Sequence, residues 1–140
     1  YIGMSAFYIQ HNTSIGLRCF ATGILILPCL LELIYNAVIL GASFGYMARD
    51  SATGGDNFMH FVTAHGPFEL TAIAMSAAAG LRLGTGLFVT HGFRRLESVR
   101  RAAVDAIPII MSSVTLFILA AFTEGCISPS GLPYICKALW

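Results

Sequence analysis

Three long apolar blocks constrain the fold of this 140-residue chain more than any other feature of its sequence. They cover residues 5–48, 58–89 and 102–124, and the stretch 107–122 carries no charged side chain. A membrane-spanning helix needs about 20 consecutive apolar residues. Each block is therefore long enough to cross a bilayer, and the first is long enough to cross it twice.

The composition supports a chain embedded in lipid. Hydrophobic residues make up 56% of the sequence and charged residues only 11%, about half the charged fraction of a soluble domain. A net charge of +1 provides no basic face for phosphates, so no nucleic-acid partner is expected. The expected partners are the lipid bilayer and other membrane-protein subunits, including a second copy of the chain. Residues 1–140 are interpreted as one transmembrane domain, and because the chain begins at Tyr1, a further N-terminal region is expected before it.

Pro28 and Pro67 are predicted to interrupt helices, because proline lacks a backbone N–H and its ring clashes with the carbonyl four residues earlier. A break at Pro28 leaves residues 5–49 as two spans, or as one span and a re-entrant piece. Pro67, preceded by Gly66, suits the first turn of a helix that continues to about Phe88. The sequence thus predicts an all-α, polytopic transmembrane helix bundle with broken helices near Pro28 and Pro67.

Four arginines between the second and third blocks predict the orientation. They are Arg94, Arg95, Arg100 and Arg101. Basic residues beside membrane spans remain on the cytoplasmic side. Residues 94–101 are therefore expected in the cytoplasm, and residues 49–57 and the tail after Glu124 on the external side.

Small residues recur every four positions in two of the predicted helices. At this spacing they allow helix backbones to approach closely in lipid, which favours helix packing over a cofactor role. The two stripes consist of Ala37, Gly41 and Gly45, and of Ala72, Ser76, Gly80 and Gly84. No cofactor is predicted.

Polar and ionisable side chains within or beside the apolar blocks form the main candidate site, because an unpaired charge there costs several kcal/mol. They are Arg18, Glu32, Asn36, Glu69, Arg82 and Glu124. The pattern favours a structural ion-pair network, with the lining of a polar cavity or proton path as the alternative. Glu69 and Arg82 are thirteen residues apart, about 20 Å along one helix, so each must find its partner elsewhere. For Glu69, a partner among Arg18, Asn12 and Asn36 is expected.

Histidine and cysteine residues are the remaining candidates for chemistry. A helix that begins at Pro67 would leave His65 outside it, away from Glu69, and the spacing matches no standard metalloenzyme pattern. No metal site and no catalytic residue are therefore predicted. Cys126 and Cys136 flank the external tail, where a disulfide is possible, and two free thiols are the alternative.

Five short segments, in this order, carry a family pattern. They read FYIQHNTSIG at residues 7–16, YNAVILG at 35–41, HGPFELTAI at 65–73, AGLRLG at 79–84 and EGCISPS at 124–130. Together they resemble the stage II sporulation protein M (SpoIIM-like) family, in the form found outside spore formers. The distinctive positions of that pattern are Asn12, Asn36, His65, Gly66, Glu69, Arg82 and Glu124. Ala37 departs from it, because the family commonly has glycine there.

The resemblance implies a polytopic inner-membrane protein without established catalytic activity. The members that gave the family its name hold peptidoglycan-degrading partners at the membrane in a cell-wall remodelling complex. A non-enzymatic scaffold or assembly subunit of a cell-envelope complex is therefore the leading hypothesis. The alternatives are a transporter or permease component with a polar intramembrane cavity, and an intramembrane metal-dependent hydrolase using His65 and Glu69.

Overall fold

The chain forms an all-α bundle in a computed structural model that describes residues 2–49 and 51–139, with side chains described for 10–49, 51–137 and 139. Its helices are α1 (Ile2–Gly23), α2 (Leu27–Met47), α3 (Gly55–Phe88), α4 (Arg95–Phe122) and the short α5 (Tyr134–Ala138). A π-helical turn, Thr123–Ile127, continues from the end of α4. The described residues contain no β-strand.

Three segments of the described chain have the length and hydropathy to cross a membrane: Leu27–Met47, Gly55–Phe88 and Arg95–Ile127. The third is the most apolar, with a mean hydropathy of 2.1 over its best window, in agreement with the uncharged stretch in the sequence. The first apolar block forms two helices, α1 and α2, of which α2 has the length and hydropathy of a membrane span.

Pro28 acts as predicted, whereas Pro67 does not. The first block breaks between Gly23 and Leu27, and Pro28 lies in the first turn of α2. Pro67 lies inside α3, which runs without interruption from Gly55, so the prediction of a broken helix there was wrong.

The continuity of α3 has a physical reason. Pro67 frees the carbonyl oxygen of Thr63, four residues earlier, and a membrane helix tolerates such a proline through local adjustment and neighbouring groups. Threonine side chains add bonds to carbonyl oxygens in the adjoining turns, although not to the freed one. Thr71 donates a hydrogen bond to the Pro67 carbonyl oxygen at 2.7 Å, one turn after the proline. Thr63 makes the same kind of bond to the Met59 carbonyl oxygen at 2.7 Å, one turn before it. As a result, His65 and Glu69 share one continuous helix, contrary to the expectation that His65 lies outside it.

The bundle core is built from α1, α3 and α4. Contacts between α1 and α3 advance in the same direction, from Asn12 beside Glu69 to Gly23 beside Gly80, so these two helices are parallel. Helix α4 is antiparallel to α3, because Ser113 bonds to Ala72 while Ala102 lies against Gly86.

The helix connections consequently collect at two ends of the bundle. Gly84 packs against Gly23 and Ile26, so the α1–α2 and α3–α4 turns lie together at one end of the bundle. We call it the arginine end, and residues 94–101 define it. The opposite end, which we call the tail end, holds the α2–α3 loop and residues 123–139. There Tyr134 contacts Thr63 and the His60 ring of α3.

Helix α2 packs on this core along one face only. Cys29 is its only buried residue among those described. At the arginine end, the Cys29 thiol hydrogen-bonds with that of Cys19 on α1. Near the tail end, the Phe44 and Phe58 rings meet edge to face with centroids 5.2 Å apart. Between these two contacts the helix presents an apolar surface that includes Tyr35, Val38 and Ile39, each more than half exposed.

Candidate functional site

A largely buried polar cluster lies towards the tail end, where α1, α3 and the π-helical turn meet. Asn12 of α1 donates a side-chain hydrogen bond to the Glu69 carboxylate of α3. Glu124, in the π-helical turn, is only 2% exposed and lies close enough to Glu69 for the two carboxyl groups to interact electrostatically. The expectation that Glu69 finds a partner on the first block is met by Asn12.

His65 extends this cluster into the C-terminal tail. One turn before Glu69 on α3, its imidazole lies 3.0 Å from the Ser128 hydroxyl, measured from Nδ1 to Oγ, and also bonds to the Phe61 backbone. The Lys137 ammonium group, which is buried, donates to the Ser128 carbonyl oxygen at 2.8 Å. Ser128 thereby joins α3 to α5 through its side chain and its backbone.

Two ion pairs lie outside this cluster, one towards the arginine end and one nearer the middle of the bundle. Arg82 of α3 binds Asp105 of α4, with Nη2 2.5 Å from Oδ2 and Nε 3.2 Å from the same oxygen. Arg18 of α1 pairs with Glu32 of α2 across 3.8 Å. The Asn36 amide nitrogen donates to the Glu32 carbonyl oxygen one turn earlier on α2, at 2.8 Å. This hydrogen bond lies within α2 and therefore links no second helix.

The predicted intramembrane network is thus divided into separate groups. Glu69 and Glu124 belong to the tail-end cluster, and Arg82 pairs with Asp105 towards the arginine end. The Arg18–Glu32 pair lies between them, near the level of Ser76. Along α4, Asp105 and Glu124 are nineteen residues apart, which corresponds to about 28 Å. This separation is close to the thickness of a bilayer's hydrocarbon core, about 30 Å. Asp105 of α4 and Glu124 of the following π-helical turn therefore bracket an apolar layer of membrane thickness.

The middle of this layer is filled by small side chains. The Ser76 and Ser113 hydroxyl groups lie 2.6 Å apart, and Ser113 also donates to the Ala72 carbonyl oxygen at 2.7 Å. Ala72, Ser76 and Ser113 are each at most 1% exposed. The Phe117 ring fills the space over Gly16, where a side chain on the glycine would overlap it.

The two small-residue stripes have different surroundings. In α3, a Cβ at Gly80 would overlap the Phe20 carbonyl oxygen, and one at Gly84 would overlap the Gly23 carbonyl oxygen. In α2, Gly41 and Gly45 have no described atom within 4 Å of the position that a Cβ would take. The α2 stripe therefore packs against no described helix of this chain, because it lies on a face of α2 away from the half-buried residues, such as Leu33 and Phe44, that contact the bundle.

The cysteines do not form the disulfide that was considered for the tail. Cys126 and Cys136 are exposed free thiols, and Cys19 and Cys29 are buried free thiols. Cys136 lies on α5, which Lys137 and Tyr134 anchor against Ser128 and Thr63. The structure thus has the alternative to the disulfide, two free thiols, and non-covalent contacts hold the tail.

Three residues of these groups were not predicted as site residues: Asp105, Ser128 and Lys137. Asp105 lies at the edge of the third apolar block, eleven residues into α4. The sequence signal that could have identified it is this acidic residue at the block's edge, since Arg82 needed a partner. Ser128 and Lys137 lie in a segment rich in proline and serine that gives no helical periodicity. Among the described residues, no group of three or more histidine, cysteine, aspartate or glutamate side chains has a geometry that could hold a metal ion.

Comparison with known proteins decides the family. The family model described as Stage II sporulation protein M matches residues 1–129 of the 140. The chain belongs to the SpoIIM family. No curated protein and no solved structure matches it. The SpoIIM match spans α1 to α4 and the π-helical turn, and so includes Asn12, His65, Glu69, Glu124 and Ser128 of the tail-end cluster, while α5 lies beyond it.

Proposed function

We propose that this SpoIIM chain is a non-enzymatic membrane scaffold, an assembly subunit of a cell-envelope complex in the inner membrane. The observation that carries the proposal is α2, a 21-residue apolar helix with Cys29 as its only described buried residue. A span that contributes so little to its own bundle is available for lateral contact with a neighbouring span. Gly41 and Gly45 would let that neighbour approach the α2 backbone closely.

The arrangement of polar groups also supports a structural role. Transporters place substrate and ion sites near the bilayer midplane, at broken helices. In this chain α3 continues through Pro67, and the Ser76–Ser113 pair fills the middle of the core. Within the described residues, every buried side-chain nitrogen or oxygen atom has a hydrogen-bond partner. Satisfied buried polar groups, with Glu124 and the Arg82–Asp105 pair at the two edges of the apolar layer, are typical of a structural bundle rather than of a permeation path.

A proton-coupled transporter is the second candidate, and the Glu69–Glu124 pair is the observation that favours it. Intramembrane carboxyl groups that lie side by side recur in proton relays. The pair lies towards one edge of the apolar layer, about 20 Å along α3 from Arg82, and the filled middle of the core separates the two. The hydrolase hypothesis has no such support, because the His65 imidazole is already bonded to Ser128 and Phe61.

Photocrosslinking in the membrane tests the scaffold proposal. Benzoylphenylalanine at Val38, which is 62% exposed on α2, should yield discrete adducts with cell-envelope proteins. The matched control is the same residue at Met111, which is 59% exposed on α4. Adducts with lipid alone at Val38, as at Met111, would refute the proposal. A proton flux through liposomes that contain only this chain would replace it with the transporter.

We further propose that the arginine end is cytoplasmic and the tail end external, because four arginines flank the spans at the former. An impermeant maleimide added to intact cells should therefore label the exposed Cys126 and Cys136, and not the buried Cys19 and Cys29. In a variant with serine at positions 126 and 136, a cysteine in place of Leu96, which is 83% exposed, should react only after the cells are opened. Labelling of the position-96 cysteine in intact cells would reverse the topology.

A further inference from the structure

The first turns of α4 form an exposed surface that combines positive charge with an apolar groove. The groove, about 440 Å³ in volume, is lined by Arg94, Leu96, Glu97, Val99, Arg100 and Ala103. Leu96 is the most exposed apolar residue of this group, at 83%. The arginines and the apolar side chains line the same groove, so the surface is amphipathic over a short distance.

The charge balance of this groove is positive. Its only acidic residue, Glu97, is engaged by Arg101, with Nε 3.0 Å from Oε1. Arg101 also stacks on the Phe93 ring, 4.0 Å from its centroid. Arg94 and Arg100 take part in none of the ion pairs formed within the described residues. Two uncompensated guanidinium groups therefore border the groove.

The position of the groove along α4 defines what can occupy it. Asp105, bound to Arg82, marks the start of the apolar layer, and the groove lies in the preceding turns. Arg100 is five residues before Asp105, about 8 Å along the helix, which matches the thickness of the headgroup region of one leaflet, and Arg94 lies about 16 Å before Asp105, on the aqueous side of that region. On the other side of Asp105 the lipid-facing surface continues through Val104 and Ile107, both more than half exposed.

We propose that this groove binds an anionic phospholipid, with the headgroup phosphate held by Arg94 and Arg100 and the start of an acyl chain lying along Leu96, Val99 and Ala103. Charge complementarity selects the anionic headgroup, because guanidinium groups bind phosphate oxygens through paired N–H donors. The apolar lining favours a lipid over free phosphate, because inorganic phosphate has no apolar group that could contact these side chains. The site does not depend on whether α2 binds a partner protein.

The test is native mass spectrometry of the full chain, purified in detergent and titrated with phosphatidylglycerol or with phosphatidylcholine. The chain should retain phosphatidylglycerol preferentially. Arg94→Gln and Arg100→Gln should each weaken its binding about tenfold or more, because each removes charge-assisted hydrogen bonds to the phosphate. Arg95→Gln is the matched control, because Arg95 adjoins the groove without lining it, and it should weaken binding by no more than about fivefold, the diffuse contribution of one basic residue.

Two further arms identify the ligand. Leu96→Gln should weaken phosphatidylglycerol binding while preserving the charge of the site, and excess inorganic phosphate should not displace the lipid. Unchanged melting temperatures of the variants would establish that they remain folded. Equal losses for Arg95→Gln and Arg100→Gln would show diffuse attraction and overturn the site, and displacement by inorganic phosphate would identify a simple anion site instead.

Discussion

Gly80→Leu should be among the most destabilising single substitutions in this chain, with a loss of about 3 kcal/mol or more in the free energy of unfolding. A Cβ at Gly80 would overlap the carbonyl oxygen of Phe20 and crowd that of Cys19. These are backbone atoms of α1, so no rotamer change can make room, and the two helices must separate. Separation would also weaken the Asn12–Glu69 hydrogen bond farther along the same interface. Unfolding by sodium dodecyl sulfate titration in mixed micelles measures the loss.

Gly41→Leu is the matched control for this prediction. Both glycines lie inside apolar helices, but Gly41 has no described atom within 4 Å of the position that a Cβ would occupy. Leucine is also the better helix former by roughly 1 kcal/mol. The variant should therefore unfold at the same detergent fraction as wild type or a higher one. Gly54 is a poorer control, since its φ of 88° makes any side chain there strained. Equal destabilisation by Gly80→Leu and Gly41→Leu would contradict the close approach of α1 and α3.

The contrast between the two glycine stripes shows what the sequence could predict. The length of the apolar blocks was sufficient to predict the all-α membrane fold, because a chain in lipid must satisfy its backbone N–H and C=O groups within helices. The four-residue spacing identifies a helix face on which backbones can approach. It does not identify the helix that occupies that face, so α2 and α3 carried the same pattern but have different surroundings in the structure. Which of the two stripes packs against another helix of the chain depends on the direction that α2 takes after the α1–α2 turn.

Pro67 and the tail-end cluster show why local rules were insufficient. A rule for soluble helices predicted a break at Pro67, whereas α3 continues with Thr63 and Thr71 bonded to carbonyls on either side. A partner for Glu69 on the first block could be expected, because a carboxylate in lipid requires one. Ser128 could not be expected opposite His65, because the contact joins residues 63 positions apart and depends on the π-helical turn.

Glu69 provides the test that separates the structural role from the proton-coupled one. Glu69→Leu removes the acceptor for the Asn12 amide and leaves that half-buried donor without this partner, which should cost about 1–3 kcal/mol of stability. Glu69→Gln keeps an amide oxygen that can accept the same hydrogen bond. Its cost should remain below about 1 kcal/mol. Glu97→Leu is the matched control, because Glu97 lies outside the apolar layer and pairs across 3.0 Å with Arg101, which is 59% exposed, so the loss should be at most about 1 kcal/mol.

The same variants should be compared for assembly, by crosslinking from Val38, and for proton flux in liposomes. If Glu69 is structural, adduct yield should follow stability, with wild type and Glu69→Gln alike and Glu69→Leu lower, and no variant should alter the flux. The opposite order is equally informative. A stable Glu69→Leu together with a loss of function in Glu69→Gln would mean that the carboxylate's proton, and not its hydrogen bond to Asn12, is what the protein uses. Glu124, which lies beside Glu69, would then be the next group in the path, and transport would replace scaffolding as the function of this bundle.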